Sequence, residues 1–232
     1  MPVRITLVRH ATLLIELQGK RLLVDPMLDP ARARPAIANT ANDLRNPLVE
    51  LPFDPVPGID AVLVTHLHQD HFDDTAAERL PRDVPVFCQP DDEAKLSGHG
   101  LRAVPIEDRL DWQALSIHRT GGFHGLDALG PVSGFVLDGL YVIGDSVWHP
   151  EVEQAIERHE PRVAVVNAGG ASFVEGPLIT MGANDVASVS ERVETVIAVH
   201  MEAINHCALT RAELRAALPE VLIPDDGETV GL

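Results

Sequence analysis

The 232-residue chain is 45% hydrophobic and 23% charged, which is enough apolar side chain for a sizeable core and too much for a disordered chain. Its 35 acidic and 18 basic residues give a formal net charge of -17. That balance repels a phosphate backbone, no Lys/Arg cluster offers a local exception, and nucleic acid is therefore not an expected partner. Two cysteines, Cys88 and Cys207, are too few for a disulfide scaffold, lack CxxC spacing, and read as small apolar fillers.

The N-terminus, Met1-Pro2-Val3-Arg4-Ile5, has no charged head followed by an apolar signal core. No stretch approaches the ~20 apolar residues of a membrane span. A cytoplasmic protein that makes no membrane contact is expected, folded as one domain over residues 1–232. Apolar runs at Val3 to Val8, Thr12 to Leu17 and Arg21 to Val24, the last two joined by Gln18-Gly19-Lys20, indicate antiparallel strands. Seven prolines between Pro26 and Pro57 break all periodicity, so Pro26 to Gly58 is expected as a long ordered loop or lid. It is the candidate substrate wall, with Arg45 and Asn46 as polar contacts.

Ala61 to Val64 reads as a compact strand, Asp73 to Leu80 as a short helix with acid in its first turn. Further strands are expected at Val84 to Phe87, Leu101 to Pro105, Trp112 to His118, Gly134 to Leu137, Leu140 to Ile143, Val163 to Val166 and Thr195 to Val199. Helices are expected at Pro150 to His159, Asn184 to Val193 and Thr210 to Leu218, the last opened by a Thr210/Glu213 capping box. Strands dominate early and β-α alternation later, which suggests a layered α/β sandwich with mixed sheets.

Chemistry concentrates in Thr65-His66-Leu67-His68-Gln69-Asp70-His71, directly after a buried-looking strand. In extended backbone His66 and His68 project to one side, and the following turn brings Asp70 and His71 to a neighbouring point. One loop can thus serve two adjacent metal sites. Imidazole and carboxylate without thiolate suit zinc first, with manganese or iron as alternatives. Packing so many imidazoles together without a metal would cost desolvation and mutual repulsion.

The run His66-Leu67-His68-Gln69-Asp70-His71 resembles the HxHxDH signature of the metallo-β-lactamase-fold hydrolases. The resemblance implies a four-layer αββα sandwich of two mixed sheets with a binuclear metal site at one edge. Gly121-Gly122-Phe123-His124-Gly125, Tyr141-Val142-Ile143-Gly144-Asp145-Ser146 and Val196-Ile197-Ala198-Val199-His200 match the later motifs of that family in order. By this resemblance His66, His68 and His124 hold one ion, Asp70, His71 and His200 hold the other, and Asp145 bridges them. Two metals ~3.5–4 Å apart present a hydroxide at neutral pH and polarise a carbonyl or phosphoryl oxygen. No GxSxG elbow is present.

Around these ligands several residues carry two readings each. Asp25 is an acceptor for a ligand imidazole or a turn Asp before Pro26. His10 resembles the early histidine of the lactonase-like branch, which lines the metal pocket, or is a hairpin-turn residue. His206 is a general acid or substrate contact, or a helix-cap residue. Asn167-Ala168-Gly169-Gly170-Ala171 either lets backbone approach substrate closely or forms a tight turn.

The leading expectation is a hydrolase that uses a binuclear metal hydroxide on a small-molecule lactone, ester, amide or phosphodiester, with the ascorbate-6-phosphate lactonase-like branch nearest in appearance. In this reading Asp70, Asp145 and His206 are the catalytic residues. A metal-binding module without turnover and an iron-dependent redox enzyme of the same fold are the alternatives.

Overall fold

A computed structural model describes residues 3–232; Met1 and Pro2, the start of the segment inspected for a signal, lie outside the described residues. In chain order the elements are β1 (Arg4–Arg9), β2 (Thr12–Leu17), β3 (Lys20–Val24), β4 (Ala61–Leu63), α1 (Asp74–Arg79), β5 (Pro85–Cys88), α2 (Glu93–Gly98), β6 (Arg102–Pro105) and β7 (Arg109–Trp112). They continue with β8 (Leu115–Gly121), β9 (Ser133–Leu137), β10 (Leu140–Val142), α3 (Pro150–His159), β11 (Val163–Asn167), α4 (Ala183–Ser190), β12 (Thr195–Val199), α5 (Arg211–Ala217) and β13 (Thr229–Gly231). No helix among the described residues is long and apolar enough to cross a membrane.

The strands form two mixed sheets, a seven-stranded one ordered β13-β1-β2-β3-β4-β5-β6 and a six-stranded one ordered β12-β11-β10-β9-β8-β7. Their facing sides share one core, in which Leu13, Ile15 and Leu17 of β2 meet Phe135, Leu137, Val165 and Ile197 of the other sheet. The alternate residues of the same strands point outward: Leu14, Leu23 and Val62 pack under α1 and α2 beside Ala76 and Leu96. Ala164, Val166 and Val196 do the same under α3, α4 and α5, beside Ile156, Val186 and Leu214. Both faces of the central strands are covered, so they read as apolar runs rather than as polar alternation. Helix, sheet, sheet, helix is the layer order, the αββα sandwich that the resemblance implies.

Three elements depart from the sequence reading. The expected strand Trp112 to His118 is a hairpin, β7 turning into β8 through Gln113, whose φ of 54° places it in the left-handed region that no regular strand residue adopts. The short α2 and the three-residue β13 carry too few residues to show a helical or alternating pattern. The Asp73 side chain caps α1 by accepting from Ala76 N, so the helix proper starts one residue later than expected. At α5 the Thr210/Glu213 capping box is present.

The proline-rich segment crosses one edge of the sandwich as an irregular strap. Buried Arg9, at the end of β1, donates to three of its carbonyls, Met27 O at 2.7 Å, Asp29 O at 3.0 Å and Val49 O at 2.9 Å.

Candidate metal centre

The carboxyl ends of the strands converge on one edge, and the chemically active side chains follow those ends. His10 comes after β1, Asp25 after β3, Thr65 to His71 after β4, His124 after β8, Asp145 after β10 and His200 after β12. Open α/β sheets place their sites at such an edge because loops leave the strands there. His10 (φ 60°), Asp25 (φ 42°) and His200 (φ 64°) all have left-handed backbone. Non-glycine residues persist in that region where surrounding structure over-determines them, and such strain clusters at functional sites. After His68 the chain turns on hydrogen bonds from His71 N and Phe72 N to His68 O, both 2.9 Å. This turn brings Asp70 and His71 to a neighbouring point, as the spacing suggests, with His71 beside His66 and the Asp70 carboxylate against His10 and His200.

Five histidines gather here with one ring nitrogen each tied to protein and the other turned inward. Thr65 Oγ1 donates to Asp25 Oδ2 at 2.7 Å and so accepts from His66 Nδ1 at 3.1 Å, which leaves His66 Nε2 with a lone pair. That atom is buried without any hydrogen-bond partner. His71 Nδ1 donates to Asp25 Oδ2 at 2.8 Å, and His124 Nδ1 to Ile179 O at 2.6 Å. His68 is reversed: its Nε2 donates to Leu129 O at 3.1 Å, and Nδ1 faces His124 Nε2 at 3.3 Å. His200 Nδ1 lies 3.6 Å from Cys207 Sγ, while its Nε2 stands 3.3 Å from His71 Nε2. Fixing the outer nitrogen sets the tautomer and aims the inner lone pair. Facing nitrogens and an orphaned buried one are unfavourable alone and fit a shared cation.

Asp145 stands at the centre. Its Oδ2 lies 3.2 Å from His71 Nε2, 3.5 Å from His124 Nε2 and 4.0 Å from His66 Nε2, while Oδ1 lies 3.3 Å from His200 Nε2. Oδ2 thus faces imidazoles of both groups named below, and Oδ1 faces His200. Two ligand clusters follow, His66, His68 and His124 in one and Asp70, His71 and His200 in the other, with His10 beside the second; His66, His71 and Asp145 also lie within mutual reach. Burial raises the Asp145 carboxyl, but His200 and His71 outweigh it and hold the group well below the ordinary carboxylate value. At Asp70 burial is likewise outweighed, first by the His10 hydrogen bond. Burial and neighbouring imidazoles push His66 and His10 well below the ordinary histidine value. His71 is raised, because Asp145 and Asp25 overcome its burial. Ionised Asp70 and Asp145 beside His66 and His10 held in their neutral form suit a divalent ion, whose binding would displace the proton that the carboxylates favour on His71.

The flanking residues now have definite positions. Buried His10 contacts Asp70 Oδ2 through Nε2 at 3.2 Å, stacks on His200 with ring centroids 3.6 Å apart, and accepts from His200 N through its carbonyl at 2.8 Å. Asn167 donates to Asp145 Oδ1 at 2.7 Å, a role that the glycine-centred reading of its loop overlooked. Gly169 does make a close approach, but to the His200 carbonyl and to Cys207, where a Cβ would collide. Cys207 is thus the packing partner of His200, not a simple core filler.

A cavity of about 240 Å³ opens onto the cluster, bounded by His68, Gln69, Asp70, His124, Asp145 and His206 on one side. The strap supplies Met27, Pro35, Ile37, Asn46 and Pro47 opposite, and Leu129, Phe173, Ile179 and Ile204 complete an apolar lining. Arg45 is not part of it: this exposed side chain turns away and donates to Arg32 O and Ala33 O, both at 2.9 Å. Asn46 reaches the lining but spends its amide on Asn205. His206 Nε2 lies 4.0 Å from Asp70 Oδ2. Burial pushes its imidazole down to about 4, so at neutral pH it meets the cavity as a neutral hydrogen-bonding group.

Residues 4–202 match the beta-lactamase superfamily domain. The UPF0173 protein YddR of Bacillus subtilis is 36% identical, over 98% of this chain and 99% of its own length. The crystal structure of an isothiocyanate hydrolase from Delia radicum gut bacteria superposes with a TM-score of 0.93 at 34% identity, covering 99% of both chains. That of a possible metal-dependent hydrolase from Veillonella parvula gives 0.96 at 31% identity over 100% of both. The chain belongs to the beta-lactamase superfamily, among its metal-dependent hydrolases.

Proposed function

We propose that the chain hydrolyses an uncharged, electrophilic small molecule with the help of two divalent metal ions, zinc first, with manganese or iron as alternatives. His66, His68 and His124 would hold one ion, Asp70, His71 and His200 the other, with Asp145 shared between them. Bound there, the ions supply a nucleophile by lowering the pKa of water towards neutrality and polarise the electrophile. Asp25 and Asn167 keep His71 and Asp145 aimed, through the 2.8 Å and 2.7 Å hydrogen bonds. Oriented groups of this kind remove reorganisation from the chemical step. His206, neutral and at the cavity wall, offers a hydrogen bond to the substrate or to the departing group.

The single observation that carries the substrate class is the lining opposite the ligands. Met27, Ile37, Leu129, Phe173, Ile179 and Ile204 are apolar, and the one Lys or Arg side chain on the wall, Arg34, is taken by Asp29 and by Asp74 at 3.0 Å. An anionic substrate would meet no free Lys or Arg there, which disfavours the phosphodiester among the four bond types and keeps the lactone, ester and amide. An isothiocyanate, the compound class that the 34% identical relative is named for hydrolysing, also satisfies the requirement: it is uncharged, and its central carbon is electrophilic. Its hydrolysis adds one water, breaks the C–N linkage, and releases an amine and carbonyl sulfide.

The test is a panel of aryl isothiocyanate, lactone, ester and phosphodiester offered to metal-loaded and metal-stripped protein. Metal-dependent turnover of an uncharged member supports the reading. Turnover of the phosphodiester alone, or of nothing above the stripped control, overturns it.

A further inference from the structure

The strap wall and the loop after β12 are joined by one side chain that the ligand scheme does not use. Asn205, only 3% exposed, lies between Ile204 and His206, both of which face the cavity. Its Oδ1 accepts from Asn46 Nδ2 at 2.7 Å and from Ile37 N at 3.0 Å. Its Nδ2 points at Thr40 Oγ1 (2.5 Å), Asn42 O (2.9 Å) and Ile37 O (3.1 Å). Its backbone takes part as well, with N donating to Asn46 Oδ1 at 3.0 Å and O accepting from Asn42 Nδ2 at 3.2 Å. Two steps upstream, Ala203 O accepts from Leu48 N at 2.7 Å.

Residues 37–46 have no regular ladder of their own; one isolated bridge, Arg34 with Asn46, is the extent of it. Their backbone polar groups need partners if they are to stay against the protein, and Asn205 supplies several of them at once. A buried amide with every donor and acceptor engaged is rigid and costly to disturb. Ile37 and Asn46 belong to the strap side of the cavity, Ile204 and His206 to the side next to the ligands. The distance between these two sides is therefore set through Asn205.

We propose that Asn205 is a positioning residue that clamps the strap to the loop after β12 and so fixes the width of the apolar subsite, limiting the size of the substituent that an uncharged substrate carries there. The substrate part of this inference rests on the function proposed above; the clamp itself does not. Of the proposed ligands only His200 leaves β12, and its backbone is held separately by the His10 carbonyl at 2.8 Å, so the clamp governs binding of the apolar group rather than the reacting centre. A fault confined to such binding raises KM and leaves kcat nearly unchanged.

The experiment compares wild type with Asn205→Ala and the nearly isosteric Asn205→Asp, which keeps one acceptor and removes the two N–H donors. Hydrogen exchange on metal-loaded protein should show residues 37–46 exchanging at least about tenfold faster in both variants, with the peptide containing His66 to His71 unchanged and two ions retained. In a homologous series of uncharged substrates with growing alkyl substituents, KM should rise about tenfold for the best wild-type substrate, kcat should hold within about twofold, and the size preference should flatten. Unchanged exchange over residues 37–46 in a folded variant overturns the clamp. Faster exchange with the wild-type size preference intact overturns its role in specificity. If wild type hydrolyses no uncharged substrate, the proposed function fails while the exchange comparison still decides the clamp.

Discussion

The two walls of the cavity differ in what holds them. On the ligand wall each ligand imidazole follows a strand end and has its outer nitrogen against Asp25, Thr65, Leu129, Ile179 or Cys207. The strap wall, from Met27 to Pro47, contributes no named strand and is tied by side chains, Arg9, Thr12, Asp73 and Thr75 around Met27 and Asp29 at one end and Asn205 at the other. Sheet ends give the positional precision that metal ligation needs, whereas a strap tied by a few side chains can change its lining without disturbing the ligands. The chemistry and the choice of substrate are thus carried by separable parts of the molecule.

Substitutions can break that separation or sharpen it. The largest effect belongs to Asp145→Ala, which removes the carboxylate shared by both ligand groups. Fewer than two ions should remain by elemental analysis and hydrolysis should fall to the metal-free background; two tightly held ions would show that Asp145 does not bridge. Next, Asp25→Ala releases His71 and Thr65 together, and metal affinity should drop roughly 10–100-fold with the fold retained. Competition against a chromophoric chelator measures it, and an unchanged affinity would remove Asp25 from the support of the site.

Arg9→Met acts on the other wall. It leaves the carbonyls of Met27, Asp29 and Val49 without their donor, a loss of about 1–3 kcal/mol for each buried group left unsatisfied. The melting temperature should fall and exchange in the strap rise, while metal stoichiometry stays at the wild-type value. Loss of metal would mean that the two walls are not independent.

The smallest effect is a pH dependence. His206 binds a proton near 6.5 when unfolded but only at about 4 in the fold, because burial disfavours the charged form. Stability from this group is complete above pH 6.5 and is lost as pH falls from there towards 4. Burial also raises Asp73 and Asp92 to about 6; each destabilises the fold above that value and relieves it on acidification, so the two oppose His206. The difference between metal-free wild type and His206→Asn isolates the histidine: denaturant melts should show the variant's relative stability improving between pH 6.5 and 4. A constant difference would place His206 in a better solvated position.

How far the molecule was legible follows the same division. His66, His68, Asp70 and His71 stand within six positions, so local order located that part of the ligand wall; His124, Asp145 and His200 were singled out only by the resemblance, because one histidine after two glycines and a phenylalanine, or one residue after an apolar strand, says little by itself. The two-sheet sandwich was equally legible because covered strands are apolar on both faces, as Leu13 and Leu14 illustrate. What could not be read depends on distant partners. Asn205 bonds Asn46 across 159 positions and Ile37 across 168, and nothing near Asn205 in the chain announces this. Arg45 and Asn46 are neighbours of similar promise, yet one faces solvent and the other the cavity. The turn at Gln113 was hidden because its flanking residues continue the apolar alternation of a single strand.

The most direct test of the account is a metal titration of the stripped protein against an uncharged substrate, read as rate per chain. The account predicts a metal-dependent rate that saturates at two ions per chain. Saturation at one ion, or a rate that never rises above the stripped control at two bound ions, would contradict it.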